Sequence, residues 1–344
     1  MHQRRLDSSL NSSSSSGPSS SRRKVLGTLM AIAGSAASGV SLARTGGLPK
    51  RIRVVVPYAV GGGTDVVARL VSAKMTDILN TPVIVENRAG AGGMIGTEYV
   101  ARAAPDGSTL LLGTSSTQAI NPALFKHLSY DPAKAFAPIS LLVTVPEIIV
   151  VNAKSPYMTF QQLVDTMRAH PGKLTFGSQG VGGISHLLGE MLNAQAGVKS
   201  IHVPYKGGGP ALQGLLAGNI DVLYDTLPAL QGQIQSGQIR PLAVASGTRV
   251  AQLQSVPTTA EAGMPKLVAE TWNALFAPAG TPADVITVLS NAARSAVKDP
   301  GIVSKLQPMS ATVVGSTPEE LAKFAQAEMA KWAPIVKASG ASVS

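Results

Sequence analysis

VVVPYAVGGGTDVVARLV, residues 54–71, holds a β-branched run that stops at Pro57-Tyr58, a glycine triplet at 61–63 and an amphipathic run from Thr64. The same order returns in HVPYKGGGPALQGLLAG, residues 202–218. Both copies read Val-Pro-Tyr, one or two further residues, Gly-Gly-Gly, and then a helical pattern. A helix N-terminus leaves backbone N–H groups unpaired and carries partial positive charge. Glycines there let a ligand approach the backbone without meeting a Cβ, which makes an anion cradle. For Gly61–Gly63 the natural guest is a carboxylate or phosphate, with the Thr64 hydroxyl as an added donor. Either triplet alone is also satisfied by a tight strand-to-helix turn; its duplication favours the cradle.

Outward from the first triplet, strand and helix patterns alternate. Strands are expected at 51–58, 82–88 and 108–116, with helices at 64–79 and, after a glycine-rich turn, within 90–104. The first helix should bury Val66, Val67, Leu70, Val71, Met75, Ile78 and Leu79. After an apolar run at 138–152 the pattern restarts, with helices at 158–170 and 184–197 and strands at 174–180, 201–205, 221–226 and 240–246. Two more helices close the chain at 282–299 and 317–339. Thr159 reads as an N-cap, and Thr317 with Glu320 as a capping box. Such alternation predicts parallel βαβ units. The two triplets therefore fall in two similar α/β lobes, each at the carboxyl end of a strand, the edge at which open α/β sheets bind ligands.

The 344 residues suffice for two medium domains, and the lack of cysteine excludes disulfides and zinc–thiolate sites. Residues 8–21 are almost all serine with Asn, Gly and Pro, which cannot build a core. Arg22 and Arg23 then lead a weakly apolar, small-residue stretch that ends at Ser41-Leu42-Ala43. This reads as an export signal of the twin-arginine kind, cleaved near Ala43. The formal net charge is +10. Residues 1–43 carry five of the cations and one acid, so the mature chain keeps about +6, a modest excess that suits acidic solutes. The basic residues are scattered and not interleaved with aromatics, which speaks against nucleic acid as a partner.

Two enzymatic readings compete. Gly90-Ala-Gly92-Gly-Met-Ile-Gly96 follows a strand and opens a helix, like a nucleotide-binding turn, and would suit an exported NAD(P)-dependent oxidoreductase. The next strand, TLLLGTSS, ends without the acidic residue that a ribose hydroxyl would need. Ser178, Ser185, His186 and His202 suggest a hydrolase around Ser178 and His186, yet no G-x-S-x-G elbow exists. His186 fits a helix that faces solvent or steadies a turn. No P-loop occurs, and the five histidines lack metal-ligand spacing.

PYAVGGGTDVVAR, VIVENRAGAGGMIG, PDGSTLLLGT, AINPALF, DPAKAFAPIS, PGKLTFGSQGVGGISHLLGE, HVPYKGGGPALQGLLAG, LAVAS, VPTTAEAG and APAGTP occur here in one order. In that order they resemble the Bug-type extracytoplasmic solute receptors of tripartite tricarboxylate transporters. The resemblance implies an α/β, two-lobed periplasmic binding protein (a Venus flytrap, type II-like) with a ligand cleft between lobes. It implies a monomeric, non-enzymatic receptor without cofactor, which takes a dicarboxylate, tricarboxylate, acidic amino acid or aromatic acid and hands it to membrane permease subunits. The lobes it implies are 44–144 and 269–344 for the first and 145–268 for the second. Carried over by position, the ligand contacts in the first lobe are Tyr58, Ala59, Gly61, Gly62, Thr64, Asp65, Ser115 and Ser116. In the second they are Ser178, Gln179, Gly180, Gly183, His186, Tyr205, Lys206, Gly207, Gly208 and Asp225. Two departures stand out: Gly183-Ile184-Ser185 where a hydroxyl residue is usual, and Ala135 where an acid is usual. Asp225 is open between accepting from a ligand amino or hydroxyl group and capping a turn.

Overall fold

A computed structural model describes residues 47–343; the serine-rich segment, the arginine pair and the expected cleavage site lie outside the described residues. β1 (Ile52–Val56) leads through the first triplet into α1 (Gly63–Leu79), then β2 (Val83–Asn87), α2 (Met94–Ala101) and β3 (Thr109–Thr114). A π-helical turn (Ser116–Ile120) and α3 (Asn121–Leu124) precede the long β4 (Phe136–Asn152). Next come α4 (Phe160–Ala169), β5 (Thr175–Ser178), α5 (Ile184–Ala196), β6 (Ile201–Pro204), α6 (Gly208–Leu216), β7 (Val222–Thr226), α7 (Leu227–Gln235) and β8 (Ile239–Val244). The chain ends through β9 (Glu270–Pro278), α8 (Ala283–Val297), α9 (Pro300–Leu306), β10 (Thr312–Val313) and α10 (Pro318–Ser339).

The strand order is β2-β1-β3-β9-β4-β7-β5-β6, with β8 and β10 also on β4. The outer strands pair in parallel, β1 with β2 and β3, and β5 with β6 and β7. That is the expected βαβ geometry. The middle is different: β9 runs antiparallel to both β3 and β4, and β4 runs antiparallel to β7 and β8. No strand was expected at 270–278. Its buried run, TWNALFAP, has no period-2 alternation because both faces are covered, so pattern alone does not announce it.

β4 changes partners midway. Phe136 to Pro146 pair with β9, while Glu147 to Asn152 pair with β7 and β8. Proline has no N–H to donate, so Pro146 is a natural end to one ladder. The crossover is tied by the backbone: Glu147 N donates to Ala269 O (3.0 Å), Ala245 N to Glu147 O (2.9 Å) and Ala269 N to Ala245 O (2.9 Å).

Separate cores flank the two half-sheets. Val54, Val56, Val67, Val71 and Met75 pack with Leu289 and Ala293 of α8. Ile148, Val150, Leu215, Leu223 and Leu230 make the other. A larger cluster holds Phe176, Leu187, Trp272 and Trp332. Within it, Glu328 Oε2 accepts from the indole N–H of both Trp272 and Trp332 at 3.1 Å. The Thr159 N-cap and the Thr317–Glu320 capping box are both formed. The buried face of α1 is narrower than expected. Val67, Val71 and Met75 are buried, but Val66, about 100° round the helix from Val67, is 38% exposed, and Ile78 in the last turn 42%.

Candidate functional site

A cavity of about 600 Å³ opens where the carboxyl ends of β1, β3, β5 and β7 meet the crossover. Three helices begin on its wall. Gly62 caps α1, Gly183 caps α5 and Thr226 caps α7, each in extended backbone and none with a side-chain acceptor for the helix N–H groups. The caps line the cavity together with Gly63, Thr64, Ile184 and Ala229. Converging helix N-termini create a positive field and free donors suited to an anion. The third helix end, at Thr226, was not anticipated.

The two triplets share a local design but not a location. The first glycine of each supplies a left-handed turn, Gly61 at φ +91° and Gly207 at φ +108°. Gly62 and Gly63 face the cavity. A Cβ on Gly62 would meet nothing nearer than Ala59 O at 4.0 Å, so the space beside this backbone is open to a ligand. The second triplet lies behind the wall. Gly207 N donates to Gln179 O (3.2 Å), and a Cβ on Gly208 would stand 2.5 Å from Asp225 Oδ2. It is Gln179, not the triplet, that lines the cavity.

Of the other residues expected at the site, Tyr58, Ser115 and Ser116 line the cavity with those already named. The Tyr58 hydroxyl pairs with Thr114 Oγ1 at 2.9 Å, and burial raises its pKa. Ala59 and Lys206 are exposed and off the cavity wall, as is the half-buried Gly180. Asp65 is buried and fully engaged within the protein: Oδ2 accepts from Gly61 N (3.0 Å) and Arg69 Nε (2.9 Å), and Oδ1 from Asn87 Nδ2 (2.9 Å). Burial pushes its carboxyl up, but these hydrogen bonds and the Arg69 charge outweigh it and hold the pKa at about 2. Asp65 thus shapes the glycine loop. Tyr205 packs its ring over Gly214 and Gly177 in an apolar cluster.

The serine and histidines form a group of their own behind the cavity. Ser178 is buried, and its Oγ meets His202 Nε2 at 2.6 Å, not His186. His186 does not face solvent; it is buried and its Nδ1 accepts from Gly182 N at 3.1 Å, steadying the turn into α5. The imidazoles of His186 and His202 stack 3.9 Å apart. Burial lowers both pKa values, and the neighbouring His186 helps bring His202 to about 4. A Ser178–His186 hydrolytic pair is therefore not built. The Gly90–Gly96 turn is likewise filled by the protein. A Cβ on Gly93 would be 2.7 Å from Thr117 Cγ2, and one on Gly96 2.8 Å from Arg88 O, while Asn121 Nδ2 donates to Gly92 O at 3.0 Å. These glycines bring α2 close to β1; they leave no opening for a pyrophosphate. Among the described residues no group of three side chains is arranged to hold a metal ion.

Three residues that line the cavity each carry a buried polar atom with no hydrogen-bond partner among the described residues: Ser115 Oγ, Asn273 Nδ2 and Glu147 Oε2. Buried polar groups are nearly always paired, so each of the three lacks a partner that the described residues do not supply. Glu147 was missed in the sequence. The signal was present, since it is the sole charged residue in PISLLVTVPEIIVVN, 138–152, and a lone charge in a buried strand is rarely idle. Burial drives its carboxyl pKa well above the ordinary value, and the Asp225 charge adds to the rise. Asp225 is itself pushed up to about 6 by burial, against hydrogen bonds from Thr226 N (2.8 Å) and Gln179 Nε2 (2.7 Å). Asp225 Oδ1 receives both of those bonds, so it acts as a cap and as the anchor of Gln179.

Known proteins resemble this chain over most of its length. The family described as tripartite tricarboxylate transporter family receptor has a model that matches residues 67–341. BugT of Bordetella pertussis is 37% identical over 291 residues, covering 84% of this chain and 89% of its own. Among solved structures, the periplasmic binding protein BugD is 35% identical with a TM-score of 0.71, over 86% of this chain and 99% of its own. Rpa4515 of R. palustris, solved with adipate, is 32% identical with a TM-score of 0.74, over 85% and 98%. MatC of Rhodopseudomonas palustris, with bound malate, is 34% identical with a TM-score of 0.70, over 83% and 98%.

Proposed function

This chain belongs to the tripartite tricarboxylate transporter receptor family, and on that footing we propose that it captures a small organic carboxylate and delivers it to the permease subunits of such a transporter. The observation that carries the reading is the cavity wall, where three uncapped helix N-termini meet orphaned donors at Ser115 and Asn273. Amides at those ends hold one carboxylate, with Tyr58, Gly62, Thr64, Ser115 and Ser116 on one side and Gln179 and Gly183 on the other. Binding of adipate and malate by similar proteins supports the class of ligand. The proposed lobes are 44–144 with 269–344, and 145–268; the change of β4 partners at Pro146/Glu147 supports this division. A ligand that touches both sides favours the closed form, which the permease then reads. The receptor works as a monomer in the periplasm after cleavage near Ala43. No helix among the described residues is long and apolar enough to cross a membrane.

A thermal-shift screen of the purified protein against small mono-, di- and tricarboxylates tests the reading. At least one acid should raise the melting temperature in a concentration-dependent way. Micromolar binding of a reduced nicotinamide cofactor, with no response to any carboxylate, would overturn it.

A further inference from the structure

Glu147 is an acid on the wall of a cavity otherwise furnished to receive an anion. Its backbone is tied into the crossover by Ala269 and Ala245, so the residue cannot withdraw. Its side chain lines the cavity, and its Oε2 is buried with no hydrogen-bond partner among the described residues. Behind it stands Asp225 on β7, whose Oδ1 already receives Gln179 Nε2 and Thr226 N. The remaining wall supplies Tyr58, Thr271 and Asn273 but no lysine or arginine, so no cation on the cavity wall answers the acid. A plain dicarboxylate would bring more negative charge to this end. A protonated amine would supply both the missing donor and the missing positive charge.

We propose that Glu147 selects the ligand, its carboxylate receiving the ammonium group of a small amino-carboxylate while the glycine-capped helix ends hold the ligand's carboxylate. The inference rests on the carboxylate-receptor reading and narrows it to ligands that carry an amine. The raised pKa values of Glu147 and Asp225 agree with it, since two neighbouring buried carboxyls without a counter-ion are each driven toward the neutral form. An ammonium ion placed between ligand and wall restores the ionised state.

Matched pairs test it by calorimetry on the purified protein and on Glu147→Gln: succinate and aspartate, adipate and 2-aminoadipate, 3-phenylpropanoate and phenylalanine, with malate as a hydroxyl control. In the parent, the amino member of the pair that fits should bind at least about tenfold tighter than its partner, as expected for one charge-assisted hydrogen bond. Glu147→Gln, which keeps the shape but removes the charge, should abolish that preference, through weaker binding of the amino member and equal or tighter binding of its amine-free partner. Amine-free acids that bind the parent as well as their amino partners, or malate that matches aspartate, would overturn the selection by amine while the carboxylate-receptor reading stands. A preference for the amine that survives in Glu147→Gln would remove Glu147 from the role. If no member of the panel binds while another carboxylate raises the melting temperature in the thermal-shift screen, the selection by amine falls and the receptor reading stands; if no carboxylate of either set binds, both fall.

Discussion

The second glycine triplet offers three neighbouring substitutions whose outcomes differ for structural reasons. Gly207 has φ +108° and ψ 171°, a region that residues with a Cβ avoid, so Gly207→Ala should cost about 1–3 kcal/mol of backbone strain. Gly208 begins α6 with ordinary backbone, but its Cβ would lie 2.5 Å from Asp225 Oδ2. Asp225 cannot swing aside freely, because Oδ1 is held at 2.7 Å by Gln179 and 2.8 Å by Thr226 N. Overpacking of this kind costs about 1–3 kcal/mol. Gly209 lies in the first turn of α6 with nothing within 4 Å of a built Cβ. There alanine meets no obstacle and should gain up to about 0.5–1 kcal/mol from helix propensity. Thermal unfolding of the three variants without ligand reads the difference. The midpoints of Gly207→Ala and Gly208→Ala should fall by several degrees, and that of Gly209→Ala should hold or rise, on a scale of about 2–4 °C per kcal/mol. Ligand affinity gives a second readout: Gly208→Ala should also weaken binding, because a displaced Asp225 releases Gln179 from the cavity wall, whereas Gly209→Ala should not. A Gly208→Ala variant as stable and as active in binding as Gly209→Ala would refute the packing account of this triplet.

Asp65 and Glu147 lead to opposite pH signatures. The Asp65 carboxyl is held at about 2 against an ordinary 3.8, so its contribution is present above pH 3.8 and fades as pH falls toward 2. Asp65→Asn should therefore lie below the parent in urea unfolding at pH 7, by about 1–2 kcal/mol after allowance for solvent around the half-exposed Arg69, and meet it near pH 2; an equal gap at both pH values would count against the hydrogen-bonded loop. Glu147 and Asp225 have folded pKa values above their ordinary ones, so their stabilising share is full below about pH 4 and is lost as pH rises through the raised values, about 6 for Asp225. In the ligand-free protein Glu147→Gln should melt above the parent at pH 8 and approach it at pH 4; a parent that is the more stable at pH 8 would show that Glu147 is satisfied in a way the orphaned oxygen does not suggest.

Much of this molecule is written in short-range terms. A β-branched run, a glycine turn and an amphipathic run define β1 and α1 because each depends on residues within a few positions of one another. The same holds for the Thr159 cap and the Thr317–Glu320 box, and the string of motifs from PYAVGGGTDVVAR to APAGTP was enough to name the family. The tertiary structure decided what depends on distant partners. β9 is a strand because β3 and β4 flank it, not because its own pattern demands one. The triplets look alike in sequence, yet only Gly62 and Gly63 meet the cavity, since Asp225 and Gln179 fill the space in front of Gly208. Ser178 and Asp65 have the chemistry of ligand contacts, but His202, Arg69 and Asn87 occupy their hydrogen-bonding groups first. Glu147 is the converse: an unremarked acid in an apolar strand becomes a candidate selector of the ligand because the fold sets it on the cavity and no hydrogen-bond donor among the described residues reaches its Oε2. Whether a polar group is free is a property of everything packed around it, and that is settled only when chain segments far apart in sequence come together.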